Sequence, residues 1–325
     1  MKQTIAAMTV AAGMSLSMVG GHALAQTFPT QAVRVISPFP AGSGPDAIAR
    51  IIGEKLTATW KQSVIVDARP GANGFLAANA VKAAPPTGYD LLLADVGHLA
   101  ISPSLFRKLP YDPKADYVPV SGVYKTSFFI AVGVNSPIKS VRDLMAAASV
   151  PGKITYASNS IGGPLHLGAA QIEAATNTKM VHVPYKEISQ LYAAVSTGEV
   201  DWALASIASA GPLLRAGKVR FIAIADTTRS ANMPDVPTFE QAGGPKPVIA
   251  NTWVALMAPK GTAAPVTSAL NRSINDVLRQ PDVAEKFSAF GFVPWVTTPA
   301  DIAKTIDADT IDNAALVKRT GASVD

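Results

Sequence analysis

The sequence predicts an α/β protein of two domains, and three observations predict it. Short β-branched runs alternate with segments of helical period along most of the chain. Two proline-rich stretches interrupt that alternation and bracket a central block, and a strand and two helices follow the second stretch. Strands alternating with helices of about 10 to 15 residues argue for parallel sheets covered on both faces. Two interruptions around a block argue that the chain leaves one domain, builds another and returns, and such a chain can hinge about its two crossings.

Val33 to Ser37 is the first strand, and the helix after it carries Ile48, Ile51, Ile52 and Leu56 on one stripe. Val64 to Val66 leads to a helix over Asn73 to Ala83, and Leu91 to Ala94 is an apolar run of strand length. Between Asp95 and Phe128 the prolines at 103, 110, 113 and 119 predict an irregular segment. The alternation resumes with Phe128 to Val134 and Ser140 to Ser149, then Ile154 to Ala157 and Pro164 to Thr176, then Met180 to Val183 and Ser189 to Thr197. Val200 to Leu204, Ala210 to Ala216 and Phe221 to Ala225 complete the block. A second irregular stretch, Asp226 to Asn251, holds Pro234, Pro237, Pro245 and Pro247. Thr252 to Met257 rejoins the first domain as a strand, and Ala264 to Arg279 and Pro281 to Phe290 close it as helices. The expected division is 26–126 with 251–325 for one domain and 127–250 for the other.

The first 25 residues read as a secretory leader. Met1 and Lys2 give a positive start, Thr4 to Val19 is uncharged, and Ala23-Leu24-Ala25 offers small residues for cleavage before Gln26. The apolar run is too short, and too broken by Gly and Ser, to span a bilayer that needs about 20 apolar residues. The expected compartment is the periplasm, with no lipid anchor, because the chain has no Cys; disulfides and thiolate ligands are excluded on the same ground. Apolar residues make up 48% and charged ones only 16%, which is the composition of a packed globular chain without a disordered tail. Without Lys2 the chain has 27 basic and 23 acidic residues, a net charge of +4 spread without runs, so no nucleic-acid footprint exists.

Two loops carry the candidate chemistry. Pro38-Phe39-Pro40-Ala41-Gly42-Ser43-Gly44-Pro45-Asp46 lies between the first strand and its helix. Gly42 and Gly44 allow main-chain N–H groups to converge, and a helix start adds about half a positive charge, so the loop can cradle an anion. Ser43 is the direct donor there, and Asp46 is assigned to capping the helix and ordering the loop. No lysine follows as in a nucleotide-phosphate loop, and no third Gly completes a dinucleotide fingerprint. Ser158-Asn159-Ser160-Ile161-Gly162-Gly163-Pro164-Leu165-His166 repeats the arrangement in the second domain, with Pro164 in a first turn and His166 read as a structural histidine. Enzyme readings lack their parts. No H-E-x-x-H, nucleophile elbow or metal-ligand spacing occurs, His182 sits within a strand, and His98 is placed to line a cleft.

Several ordered motifs carry a resemblance: Val35-Ile36-Ser37-Pro38-Phe39-Pro40-Ala41-Gly42, Arg69-Pro70-Gly71-Ala72-Asn73-Gly74, Leu109-Pro110-Tyr111-Asp112-Pro113, Val181-His182-Val183-Pro184-Tyr185-Lys186, Ala216-Gly217-Lys218 and Pro234-Asp235-Val236-Pro237-Thr238. From about Phe28 to about Ala322 the chain resembles the receptors of tripartite tricarboxylate transporters, the Bordetella uptake gene family. The resemblance implies a clamshell of the type II periplasmic binding class with two crossings at the hinge, no enzymatic activity, no cofactor and no metal. It also implies a monomer that closes like a flytrap on a small carboxylate and hands it to membrane permease subunits. The carboxylate would lie between the loops matching 39 to 46 and 158 to 166, held partly by main-chain N–H groups and waters. The candidate ligand-binding residues are Phe39, Ala41, Gly42, Ser43, Gly44, Asp46, Ser158, Asn159, Ser160, Gly162, Gly163, His166, Tyr185, Ala205 and Ser206.

The chain departs from the family pattern at Gly163 and Pro164, where members usually offer a hydroxyl, at Ala170 in place of a Glu, at Glu187 in place of a Gly, and at Ala205 and Ser206 in place of an Asp-Asn-like pair. Apart from Glu187, which adds a charge, these changes remove polarity or add room. The expected ligand is an aromatic dicarboxylate of the terephthalate or phthalate kind. A linear di- or tricarboxylate, or a sensor presenting its ligand to a membrane kinase, stands as the alternative.

Overall fold

The computed structural model describes residues 28–324, so the leader assigned to residues 1–25 lies outside the described residues. Eleven strands and ten α-helices appear among them in two sheets. β1 (Val33–Ser37), β2 (Val64–Ala68), β3 (Asp90–Asp95), β4 (Tyr117–Ser127), β10 (Asn251–Pro259) and β11 (Val293–Pro294) form one sheet, in the order β11-β4-β10-β3-β1-β2. The other holds β5 (Phe129–Gly133), β6 (Thr155–Ser158), β7 (Val181–Pro184), β8 (Trp202–Ala205) and β9 (Val219–Ile224), in the order β7-β6-β8-β5-β9.

Both sheets are mixed, which corrects the expectation of parallel ones. β1 runs parallel to β2 and β3, and β6 runs parallel to β7 and β8. β10 is antiparallel to β3 and β4, and β5 is antiparallel to β8 and β9. The antiparallel members are those at which the chain enters or returns, so no helix crossover fixes their direction. β4 is a second correction. It is an 11-residue strand inside the segment read as irregular, and Pro119 in it faces Met257 at a register shift, the irregular position where a ladder tolerates a missing N–H.

The first lobe buries both faces of its sheet. Val33, Val35, Leu91, Leu93, Val254 and Leu256 pack on one side with α1 (Gly44–Trp60), α8 (Ala264–Leu278) and α9 (Pro281–Ala289), whereas Ile36, Leu92, Ala94, Trp253, Ala255 and Met257 pack on the other. Residues two apart share a face because side chains alternate along a strand. The second face is covered by α2 (Phe75–Lys82), α3 (Ser102–Leu105) and α10 (Pro299–Thr320). α10 was not foreseen; Thr298 caps it, accepting from Asp301 N, and Ile302, Ile306, Leu316 and Val317 bury one stripe. The second lobe's core contains Trp202, Tyr156 and Tyr192, with α4 (Val141–Ala147), α5 (Pro164–Thr176), α6 (Ile188–Thr197) and α7 (Ile207–Arg215) around its sheet.

The lobes join through a ring of three main-chain hydrogen bonds. Phe128 N donates to Ala250 O at 2.9 Å, Ala250 N to Ala225 O at 2.9 Å, and Ala225 N to Phe128 O at 2.8 Å. Both crossing segments are thereby tied to each other and to the end of β9. α5 adds packing across the joint, since its Leu167 is buried in the first lobe's core beside Ile101 and Leu316.

Candidate functional site

Parallel neighbours end at the same edge of a sheet, so the loop after β1 and the turn after β3 are adjacent in the first lobe. The loop after β6 and the start of α7 after β8 are adjacent in the second for the same reason. Two contacts bring the edges together. A Cβ built on Gly44, the first residue of α1, would lie 3.7 Å from Ala208 Cβ in the first turn of α7. One built on Gly162 would lie 2.2 Å from Leu105 Cδ1 at the end of α3. Phe39 to Ser43 precede the first of these contacts in the chain, with His98 against Phe39, and Asn159 to Ile161 precede the second.

The first loop is organised by Asp46, only 1% exposed. Its Oδ2 accepts from Gly42 N at 2.8 Å and from Arg50 Nε at 2.9 Å, and its Oδ1 from Arg50 Nη2 at 3.1 Å. Burial alone raises its pKa, but the hydrogen bonds from Arg50 and Gly42 and the charge on Arg50 outweigh that and hold it below the ordinary carboxyl value. Gly42 N–H is therefore spent inside the loop, as is Ser43 N–H, which reaches Pro40 O at 3.1 Å. Ser43 Oγ is different. Ser43 occupies the N-cap position of α1 without making a cap hydrogen bond, and its Oγ is buried with no partner, as is Thr252 Oγ1 near the hinge. A buried hydroxyl without a partner is costly, and its place at the positive end of a 17-residue helix is one an anion's oxygen would satisfy. Phe39 is half-buried with its ring edge-on to His98 at 5.7 Å, and Ala41 is exposed.

The second loop spends its side chains on itself. Ser158, fully buried, donates from Oγ to Ser160 O at 2.8 Å and meets His182 Nε2 at 2.7 Å. Because that hydroxyl's one proton goes to Ser160, His182 supplies the proton of its contact. His166, 6% exposed, accepts from Gly162 N through Nδ1 at 2.8 Å and stacks on His182 at 3.9 Å. Both imidazoles are held neutral: burial lowers His166, and burial with the neighbouring His166 pushes His182 down to about 4. Asn159 and Ser160 are exposed, and Ser160 Oγ lies where a Cβ on Gly163 would sit, 2.0 Å away. Tyr185 donates from N to Ser158 O at 2.9 Å and from its hydroxyl to Glu199 at 3.1 Å, so its polar end is engaged away from the first loop. Ala205 and Ser206 are buried; Ser206 caps α7 in a reciprocal box with Ser209, and Tyr192 braces the corner by donating to Leu204 O at 3.0 Å. No group of three or more metal-ligating side chains occurs among the described residues.

The sequence reading placed His98 to line a cleft without counting it among the binding residues, and it singled out neither Asp95 nor Gly74 for the site. Asp95 and His98 sit where β3 ends, and Gly74 lies under the His98 ring. Gly74 closes a turn, Gly71 to Gly74, in which four successive residues have positive φ, including Ala72 at 46° and Asn73 at 52°. Left-handed backbone at non-glycine residues costs about 1–2 kcal/mol each and persists where surrounding structure enforces it. The Arg69 to Gly74 motif was the available signal.

The model of the tripartite tricarboxylate transporter family receptor matches residues 48–322. The chain belongs to that family. It is 32% identical to protein BugT of Bordetella pertussis over 303 residues, 92% of each chain. Among solved structures it is similar to a protein of R. palustris determined with adipate, with 27% identity, a TM-score of 0.82 and coverage of 91% of this chain and all of that one. It is also similar to MatC from Rhodopseudomonas palustris with bound malate, with 27% identity, a TM-score of 0.76 and coverage of 89% and 100%. The two-lobed periplasmic binding fold follows. A member of this family is a solute-binding receptor and not an enzyme.

Proposed function

We propose that this receptor works in the periplasm, captures a small carboxylate between its lobes and delivers it as a monomer to permease subunits of a tripartite tricarboxylate-type transporter. The lobes are divided as 26–126 with 251–325 and 127–250. One observation carries the reading: Ser43 Oγ is buried without a partner at the amino end of α1, whose first residue, Gly44, approaches Ala208 in the first turn of α7. A carboxylate oxygen bridging these two helix starts gains donors from both lobes only when they approach, so the ligand favours closure. The second loop contributes main chain and shape around Asn159, Ser160, Gly162 and Gly163, with Ser158, His166 and Tyr185 supporting it and Ala205 and Ser206 forming the adjoining corner. The structures solved with adipate and with malate support a carboxylate as the class.

Within that class the proposed ligand is an aromatic dicarboxylate such as terephthalate or phthalate, because the Phe39 ring stands at the cleft and the second loop offers glycine at 162 and 163. The adipate and malate structures favour the second reading, a linear diacid. Thermal shift against terephthalate, phthalate, adipate, malate and citrate separates the two, since a ligand at 100 times its Kd adds about 2.7 kcal/mol of apparent stability. The largest shift is expected from an aromatic acid. A shift from linear acids alone replaces it with the second reading, and no shift from any acid defeats the carboxylate assignment.

A further inference from the structure

His98 is held from several sides for a side chain that keeps part of its surface exposed. Its Nδ1 lies 2.5 Å from Asp95 Oδ1, which also accepts from His98 N at 3.1 Å. Its carbonyl accepts from the Tyr111 hydroxyl at 2.8 Å, and the Phe39 ring meets it edge-on. From below, Gly74 leaves room that no other residue would: a Cβ there would stand 2.2 Å from Nε2 and 2.4 Å from Cδ2. Yet the side chain keeps 16% of its surface exposed, at the edge of the sheet where the first loop emerges. A carboxylate can only accept, so Nδ1 carries a proton and the tautomer is fixed. Nε2 is the one ring position for which no protein partner occurs among the described residues.

We propose that His98 contacts the bound acid, donating from Nε2 to a carboxylate oxygen, with Asp95 as the positioning residue that aims the ring, so that the acid binds the pair in its protonated form. This inference rests on the carboxylate reading above. With a neutral ring the pair carries one negative charge and turns a lone pair toward an incoming carboxylate, which is repelled. With a protonated ring the pair is neutral and Nε2 becomes a charge-assisted donor, the stronger kind of hydrogen bond. The acid therefore selects the protonated form, and linkage requires the converse, that the acid raises the ring's hold on its proton. Asp95 is suited to this because it stays ionised: burial raises it, but the His98 ring and the N–H groups of His98 and Gly97 more than compensate. The titratable groups around the pair are Asp95 on β3, the Tyr111 phenol on the His98 carbonyl and the Tyr124 phenol of β4, which senses the Asp95 charge. The first loop brings the Phe39 ring, and the 71–74 turn brings the Gly74 backbone.

Calorimetry of the mature chain with terephthalate and with adipate, at three pH values and in both phosphate and Tris buffers, tests this. The wild-type protein is expected to show heats that differ between buffers on the alkaline side, by up to one proton per acid bound, with Kd weakening there toward tenfold per pH unit. His98→Gln puts an amide nitrogen near the place of Nε2 but cannot titrate. It is expected to remove both the buffer dependence and the pH slope and to weaken binding about tenfold at the acidic end. Asp95→Asn is expected to weaken binding while altering the proton count, which a purely structural role for Asp95 would leave at the wild-type value. Thermal melts of both variants report folding separately. Wild-type binding without buffer dependence, or a pH slope unchanged in His98→Gln, overturns the inference and leaves the receptor reading intact. Failure of both probes and of the whole acid panel to bind the wild-type protein defeats the carboxylate reading beneath it.

Discussion

The two cleft loops are built to one plan and use their polar groups in opposite ways. Each follows a parallel strand, opens a helix and carries two glycines. In the first, a buried carboxylate fastens the main chain and leaves the Ser43 hydroxyl without a partner; in the second, Ser158, His166 and His182 close on the loop itself and leave no buried side-chain atom unpaired. The contrast teaches that side-chain polarity in a loop is no measure of how much it offers a ligand. The first loop supplies a donor, the second a rigid wall.

The severest way to break that wall is at Gly162. It has φ +72°, and a side chain there would strike Leu105 across the interface between the lobes. Gly162→Val combines left-handed strain with overpacking and is expected to cost about 2–4 kcal/mol in urea unfolding. The corresponding cut in the first loop is Asp46→Asn, which keeps the shape but loses the charged acceptor of Gly42 N and Arg50. Arg50 is half exposed and screened, so the expected loss is about 1–3 kcal/mol, mostly from the buried end.

The imidazole pair gives the second loop a pH signature above the range in which the Asp46 carboxyl of the first loop titrates. Unfolded, His182 binds a proton below its ordinary 6.5; folded, it does so only near 4. Between those values the unfolded chain holds more protons, so stability is complete above about 6.5, falls as pH drops through the window and levels off near 4. The expected loss is about 2 kcal/mol at half burial, read from urea midpoints at pH 7, 5.5 and 4.5. His182→Gln should flatten the profile, and a slope that survives it would place the titration elsewhere.

Much of the architecture was legible because it is periodic. The Ile48, Ile52 and Leu56 stripe of α1 announces itself by its helical spacing, and β1 and β3 by short, nearly continuous apolar runs. β4 was hidden because four prolines near it read as breakers, and their effect was absorbed by loops and a register shift. α10 escaped because its polar, solvated face dilutes a narrow apolar stripe. At the site, loop placement was readable from strand, glycine and helix order, but the partners were not. Nothing in the spacing of Ser158, His166 and His182 announces that they close on one another, since that depends on β6 pairing with β7. Asp95 and His98 needed the Gly74 turn, which is far from them in sequence, to become a seated pair.

Ser43 sharpens the comparison with the smallest change in stability. If its hydroxyl is unpaired in the unliganded protein, removing it takes away a buried group that has lost its water and gained nothing. Ser43→Ala is therefore expected to leave the free protein as stable as before or to stabilise it by up to about 1 kcal/mol, while weakening binding of the acid that gives the largest thermal shift by about tenfold. Ser158→Ala in the second loop has the opposite signature. It strips Ser160 O and His182 of a partner, and is expected to cost about 1–3 kcal/mol of stability whether or not the acid is present. Urea unfolding paired with calorimetry on the two variants reads both quantities. A Ser43→Ala protein that is destabilised yet binds normally would mean that the hydroxyl serves the loop rather than the ligand, and the division of labour between the two loops would fall.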